Sequence, residues 1–309
     1  MKQKGKIIIA GANGFIGQEL TKKLSGNFYV VTLTRKPVRI QGASKNVLWD
    51  GKNVGEWSSI LESAVAVINL SGKSVNCRFN ESNKKAILDS RVESTTAIGK
   101  AIENCDNPPK IWLNASGISI YKESFQQPMT ESSMDFDDDF LAEVTKKWEE
   151  TCLSHAKGVR KVLMRTPVVL GISGGTYPIF SRLTNFFFGG KQGRGNQMFS
   201  WIHIDDYCKV VETLLILDGS ISGPVNMVAP EVVSNKLLMK YFRKYQNIPF
   251  GIPSPEIVLK IGGFIVGTEP SLALKSNCIK SEILKAKKFE FQHSRIDETI
   301  HALTVSKKK

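Results

Sequence analysis

The feature that most constrains this chain is a run of seven residues, Gly11-Ala12-Asn13-Gly14-Phe15-Ile16-Gly17. It follows the apolar stretch 6–10 and precedes a helical pattern. Glycines at its first, fourth and seventh places permit a tight turn and leave the backbone bare of side chains. A helix that opens behind such a turn offers free N–H groups and partial positive charge to an anion. Strand, glycine turn and helix in this order predict a pyrophosphate cradle on Gly11, Asn13, Gly14, Phe15, Ile16 and Gly17.

The chain around the loop agrees with that reading. Short β-branched runs at 6–10, 28–34, 46–49, 64–70, 110–116 and 160–167 alternate with helical spacing at 15–24, 81–103 and 140–155. Runs that are apolar throughout, rather than every second residue, belong to strands buried on both faces. The expectation is an α/β fold, a Rossmann-type doubly wound parallel sheet. Beyond Gly171 the sequence becomes glycine-rich, then returns with strands at 200–204 and 224–228 and a helix at 206–217. This divides the chain into a nucleotide-binding domain over 1–230, with a flexible substrate-side segment at 172–200, and a small, mainly helical C-terminal lobe over 231–309.

The end of the second strand sets the choice of nucleotide. A carboxylate there accepts from ribose hydroxyls and selects NAD, but this chain has Thr34-Arg35-Lys36. An arginine fork binds a 2′-phosphate that a carboxylate repels, so the expected cofactor is NADP(H), held at Thr34 and Arg35. Asp50, after the third strand, is placed either to meet the adenine or to form a turn before Gly51. At the fourth strand the chain ends in Leu70, Ser71 and Gly72, small enough for backbone to pass close to a cofactor.

Composition narrows the alternatives. A net charge of +13 over 309 residues invites a nucleic-acid reading, but the lysines are dispersed and no nucleic-acid signature accompanies them. The five cysteines are odd in number, widely separated and never C-x-x-C, which fits a reducing compartment and neither a disulfide framework nor a thiolate metal site. The start of the chain reads as a first strand rather than a leader, and no apolar run approaches a membrane span. A cytoplasmic protein with a small-molecule substrate is expected, monomer or homodimer, without nucleic-acid or membrane partners and without a metal.

Several motifs beyond the glycine loop are similar to those of the short-chain dehydrogenase/reductase superfamily, extended or atypical branch. They are Val67-Ile68-Asn69-Leu70-Ser71-Gly72, Asp89-Ser90-Arg91-Val92 with Ser94-Thr95, Trp148-Glu149, and the stretches 165–171, 200–206 and 223–230. The chain most resembles the epimerase-family, nucleotide-sugar-epimerase-like group, whose small C-terminal domain is similar to residues 253–303. The resemblance implies a nicotinamide cofactor, with Arg165, Pro167 and Val168 at its nicotinamide end, and an activity of the oxidoreductase or epimerase type.

One departure matters for chemistry. Typical superfamily members carry a Tyr-x-x-x-Lys pair, the lysine lowering the tyrosine pKa for proton exchange with substrate. Aligned through Glu149, those places hold Leu141 and Thr145. The helix asparagine of many relatives is replaced by Arg91, which suits either a substrate carboxylate or phosphate, or a surface ion pair. Ser116, with Ser119 and Tyr121 nearby, occupies the region of the superfamily's catalytic serine and is placed to hydrogen-bond a substrate carbonyl. The Tyr121 hydroxyl either supplies a proton or is a satisfied structural group.

The glycine loop before residue 200 has the character of a pocket wall, and Gln197, Ser200 and Trp201 are its expected substrate contacts. Asp205 or Asp206 fits an N-cap for the next helix, and His203 a structural role. The reading is therefore an NADP(H)-dependent oxidoreductase or epimerase-like enzyme acting on a small carbonyl or hydroxyl substrate; the alternative is a non-catalytic NADP(H)-binding redox sensor.

Overall fold

The computed structural model describes residues 5–216, 221–259 and 269–307. Its first strand, β1 (Lys6–Ala10), places Ile7, Ile8 and Ile9 out of solvent altogether. Alternate side chains of a strand face opposite sides, so both faces here must be covered. Ile7 and Ile9 join Leu20, Tyr207 and Val211 on one face, where α1 (Phe15–Leu24) and α5 (Ile204–Ile216) pack. Ile8 joins Ile98, Trp112 and Cys152 on the other, beneath α2 (Glu81–Glu103) and α3 (Phe140–Ser154).

Seven parallel strands make the main sheet. In chain order they are β1, β2 (Tyr29–Thr34), β3 (Lys45–Leu48), β4 (Ala66–Asn69), β5 (Ile111–Gly117), β6 (Arg160–Thr166) and, after an excursion, β10 (Gly223–Asn226). Their spatial order is β10-β6-β5-β4-β1-β2-β3. Chain order reverses between β1 and β4, and a crevice forms at the carboxyl ends of the strands beside such a switch.

The expected strand 160–167 divides in two. Pro167 has no N–H to give the ladder, and after Thr166 the chain leaves the main sheet as β7 (Val168–Leu170). There it pairs in parallel with β9 (Trp201–His203). The glycine-rich stretch between them contains α4 (Tyr177–Asn185), and its glycines seat an aromatic ring. A Cβ on Gly171 or Gly174 would come within 2.5 Å of the Phe15 ring. The loop that opens α1 is thereby locked to the segment after β7.

Among the described residues beyond 230, most of the regular structure is helical. Strand β8 (Met198–Phe199) pairs with β11 (Val233–Ser234), and Ser234 caps α6 (Asn235–Gln246) by accepting from Leu237 N–H. Leu238, Met239 and Phe242 of α6 bury against Tyr177, Phe180 and Trp201 and against Ile296, Ile300 and Leu303 of the C-terminal helix Ile296–Lys307. Between α6 and that helix, residues 276–279 run back along the edge of the crevice. Cys278 O accepts from Met129 N–H at 2.9 Å, and Ser276 O from Ser124 N–H at 3.0 Å.

Candidate functional site

A cleft of about 1400 Å³ opens along the carboxyl ends of the strands at the switch point. Gly11, Gly14, Phe15, Ile16 and Gly17 form its floor, and Leu70 and Gly72 one side. Ser116, Pro167, Val168 and Gln197 line it as well. The structure thus brings together residues up to 186 positions apart in sequence.

The floor depends on glycine for steric reasons. Gly11 has φ +77°, and a Cβ on it would stand 2.8 Å from the carbonyl carbon and oxygen of Leu70. Gly17 meets the turn itself, since a Cβ there would lie 2.6 Å from Ala12 Cα. At Gly14 the nearest atom to such a Cβ is 3.5 Å away, on Gly11, so this glycine keeps the loop's outer surface bare. Asn13 is exposed, its carbonyl accepting from Gln18 Nε2 at 2.9 Å. Helix α1 has no side-chain cap and no acidic residue in its first turn. Its leading N–H groups and positive dipole end therefore face the cleft unopposed, which fits a pyrophosphate.

At the end of β2, Thr34 is buried, its hydroxyl 2.9 Å from both the Lys36 carbonyl and Asn46 Oδ1. Arg35 is exposed beside the Asp50-Gly51 turn, and no acid or acceptor among the described residues engages it. Asp50 commits its carboxylate to that turn. Oδ1 accepts from the N–H groups of Lys52 and Asn53, both at 2.8 Å, and Oδ2 from Asn53 Nδ2 at 2.6 Å. Bonds from Asn53, more than any other cause, hold its pKa below the ordinary carboxylate value. Of its two expected roles, the turn is the one this geometry builds. Ser71, on the far side, is held by its N–H donating to Asn69 Oδ1 at 3.0 Å.

Around Ser116 the side chains form a closed buried network. Ser116 Oγ donates to Glu149 Oε1 at 2.5 Å. Arg165 grips the same carboxylate at two points, Nε to Oε1 at 2.9 Å and Nη2 to Oε2 at 2.8 Å. Its Nη1 donates to the Tyr121 hydroxyl at 2.6 Å, which in turn donates to Asn226 Oδ1 at 2.9 Å. Burial pushes the Tyr121 pKa up, against the pull of Arg165.

Two expectations are corrected here. Tyr121 is fully buried with its hydroxyl enclosed, and Arg165 is 4% exposed and neutralised by Glu149; neither lines the cleft, so neither touches substrate or cofactor. The hub of the network, Glu149, was visible only as part of a motif. The signal that it matters was a carboxylate on the apolar face of α3 and an arginine inside the apolar run of β6, since buried charges need partners.

Leu141 and Thr145 do line the cleft where the resemblance places tyrosine and lysine. Thr145 Oγ1 donates to Leu141 O at 2.7 Å and lies 3.0 Å from Ser119 Oγ. Arg91 also lines the cleft. Its Nη1 donates to the carbonyls of Lys73 at 3.0 Å and Ile87 at 2.9 Å, and its guanidinium sits 5.0 Å from the Trp148 ring centroid. Burial lowers its pKa to about 10. A surface ion pair is not its role, because no carboxylate among the described residues pairs with it.

Of the three expected substrate contacts, Gln197 alone reaches the cleft. Ser200 is 2% exposed, donating to Asn277 O at 2.7 Å and accepting from Ile279 N–H at 2.9 Å. Trp201 is fully buried beside Leu170, Tyr177 and Phe242. Both are packed in the interior rather than along the cleft, and the expectation for them is corrected. The N-cap role expected near residue 205 is also replaced. Asp206 is fully buried and accepts from the N–H groups of Gln292 and His293, both at 2.8 Å, tying α5 to the C-terminal segment. His203 stacks on His293 with ring centroids 3.7 Å apart, and its Nδ1 accepts from Asp205 N–H at 3.2 Å. Donor atoms of these two histidines and Asp205 lie within 4.8 Å of one another, a meeting that sequence spacing concealed.

A parallel sheet with a glycine-floored crevice at its switch point defines a nicotinamide-dinucleotide type of α/β protein, of the extended short-chain dehydrogenase/reductase form. The chain belongs to the NAD dependent epimerase/dehydratase family, which it matches over residues 7–218. It is 33% identical over 257 residues to the epimerase family protein YfhF of Bacillus subtilis, covering 82% of this chain and 84% of that one. It is 29% identical over 303 residues to the chloroplastic epimerase family protein SDR39U1 homolog of Arabidopsis thaliana, covering 96% and 86%. Among solved structures, that of human epimerase family protein SDR39U1 (isoform 2) with NADPH superposes with a TM-score of 0.87 at 27% identity, covering 97% of this chain and 99% of that one. No helix among the described residues is long and apolar enough to cross a membrane.

Proposed function

We propose that this chain binds NADP(H) in the cleft and acts as an oxidoreductase or epimerase-like enzyme on a small carbonyl or hydroxyl substrate. The observation that carries this reading is the glycine floor, Gly11 to Gly17, opening α1 directly onto a crevice that also contains Ser116. The human SDR39U1 structure was solved with NADPH, which supports the choice of cofactor, as does the unpaired Arg35 at the place of a ribose-binding acid. Thr34 and Arg35 would hold the adenosine end, the loop and Leu70 to Gly72 the pyrophosphate and ribose, and Pro167 with Val168 the nicotinamide end. When bound, the cofactor supplies hydride chemistry.

The protein's contribution at the reacting centre rests on Ser116. Its proton is directed at Glu149, whose negative charge Arg165 fixes, so the Oγ lone pairs are what Ser116 offers to the cleft. A serine held this way accepts from a substrate hydroxyl and orients it, a contribution of positioning. Ser116→Ala should reduce turnover at least tenfold with NADPH affinity unchanged. Equal turnover in the variant would remove Ser116 from the reaction.

A second reading has one specific observation in its favour. With Tyr121 enclosed and Leu141 and Thr145 in place of the pair, no tyrosine or lysine on α3 faces the cleft to exchange a proton. A redox sensor that binds NADP(H) without turnover needs none. Discrimination between NADPH and NADP⁺ with no oxidation of NADPH by any carbonyl would favour the sensor, whereas sustained oxidation would eliminate it.

A further inference from the structure

Three groups on the wall of the cleft have hydrogen-bonding capacity that the protein does not use. The first is Arg91. Nη1 is anchored to two carbonyls, while Nε and Nη2 donate to no acceptor among the described residues. A half-buried guanidinium with no carboxylate partner among the described residues offers its two free N–H edges to an oxyanion, which it can hold in a bidentate way.

The second is Gln197, 5% exposed. Its amide orientation is fixed, because Nε2 donates to the carbonyls of Gln192 at 2.8 Å and Ala273 at 3.2 Å. Oε1 therefore faces the other way, is buried and has no donor among the described residues. The third, Asn277 Oδ1, is likewise a buried acceptor with no donor among the described residues. Asn277 adjoins Gln197, its N–H donating to Met198 O at 2.9 Å. Two acceptors that cannot donate call for a hydroxyl or N–H. Lys275, the cation nearest this wall in sequence, is already paired with Asp137 at 2.7 Å and Asp139 at 2.8 Å, whereas Arg91 lines the cleft with no carboxylate partner among the described residues.

We propose that the cleft selects a small hydroxylated oxyanion, its carboxylate or phosphate seated on Arg91 and a hydroxyl donating to the acceptor wall formed by Gln197 and Asn277. This rests on the reading of the cleft as a joint cofactor and substrate site. Arg91 and Gln197 are then specificity residues of the cleft that Ser116 also lines. The same arrangement rejects uncharged polyols, which bring the guanidinium no oxyanion, and simple fatty acids, which leave the two acceptors unmet.

The test is binding of four probes to the NADPH-saturated protein, measured by calorimetric or ligand-observed NMR titration. The probes are glycerate, glycerol 3-phosphate, propionate and glycerol. Glycerate or glycerol 3-phosphate should bind at least tenfold more tightly than propionate, and glycerol should not bind; the stronger of the two oxyanions identifies carboxylate or phosphate. Arg91→Met should weaken that oxyanion at least tenfold while leaving the NADPH Kd within twofold. Arg91→Lys, which keeps the charge, should give a smaller loss and guards against misfolding. Gln197→Leu should bring the hydroxylated probe down to the level of propionate. The proposal is overturned if neither oxyanion binds, if the Arg91 variants bind it as wild type does, or if their loss falls on NADPH instead. NADPH binding by wild type is scored separately. Its failure would refute the cofactor reading, and the same probes on the protein alone would still decide the anion site.

Discussion

Arg165 closes a two-point ion pair on Glu149, with Nε 2.9 Å from Oε1 and Nη2 2.8 Å from Oε2, inside a region where neither side chain is more than a tenth exposed. Such a pair is weak evidence of net stabilisation, but removing one partner leaves a buried charge uncompensated. Glu149→Gln and Arg165→Met should each cost about 3–5 kcal/mol in denaturant unfolding. A double replacement by apolar residues should cost less than the sum of the two. Additive losses would mean that the pair is not coupled.

The Tyr121 hydroxyl accepts from Arg165 and donates to Asn226, so Tyr121→Phe takes away the partner of Arg165 Nη1 and of Asn226 Oδ1 while Arg165 keeps Glu149. The expected loss is about 1–3 kcal/mol of stability, with NADPH affinity and any turnover of the folded protein unchanged. A fall in turnover at full stability would restore Tyr121 as a proton donor.

Gly11→Ala tests the floor of the cleft. The substitution places a Cβ 2.8 Å from the Leu70 carbonyl at a residue with φ +77°. The left-handed conformation alone costs roughly 1–2 kcal/mol, and the clash must push β4's end away from the turn. A lower Tm together with weaker NADPH binding is expected; wild-type affinity would show that the loop does not hold the phosphates.

Arg35→Ala should remove the preference for NADPH over NADH. Loss of one charge-assisted phosphate contact is worth about 1.5–3 kcal/mol, or roughly ten- to a hundredfold in Kd, measured by parallel calorimetric titrations. An unchanged ratio would transfer the 2′-phosphate to another residue.

Acid stability should depend on His203. Burial, with His293 stacked against it, lowers its pKa from 6.5 to about 3. Between those values the unfolded chain binds a proton that the folded chain refuses, so this contribution to stability is present above about pH 6.5 and declines as pH falls toward 3. The slope is at most about 1.4 kcal/mol per pH unit for one group. His203→Gln should flatten urea-unfolding stability across this window, and an identical pH profile would contradict it.

Much of this was legible in the chain itself. Gly11 to Gly17 between a buried strand and a helix specifies its own turn, because the steric freedom of glycine and the polarity of a helix end are local properties. The apolar runs of β1, β4 and β5 likewise announce strands covered on both faces, and Thr34-Arg35 places a cation without a competing acid at the end of β2. Tertiary structure decided whatever depends on which way a side chain faces and what lies opposite. Ser200 and Trp201 sit three and four residues from Gln197, yet they turn into the core while Gln197 lines the cleft. Glu149 and Arg165 belong to different elements, and only the packing of α3 on the sheet makes them a pair that encloses Tyr121. His203 meets His293 across 90 residues, and among the described residues folding brings no carboxylate to Arg91. Such partnerships carry no local periodicity, since their energies arise from desolvation and distance, which exist only once the chain is folded.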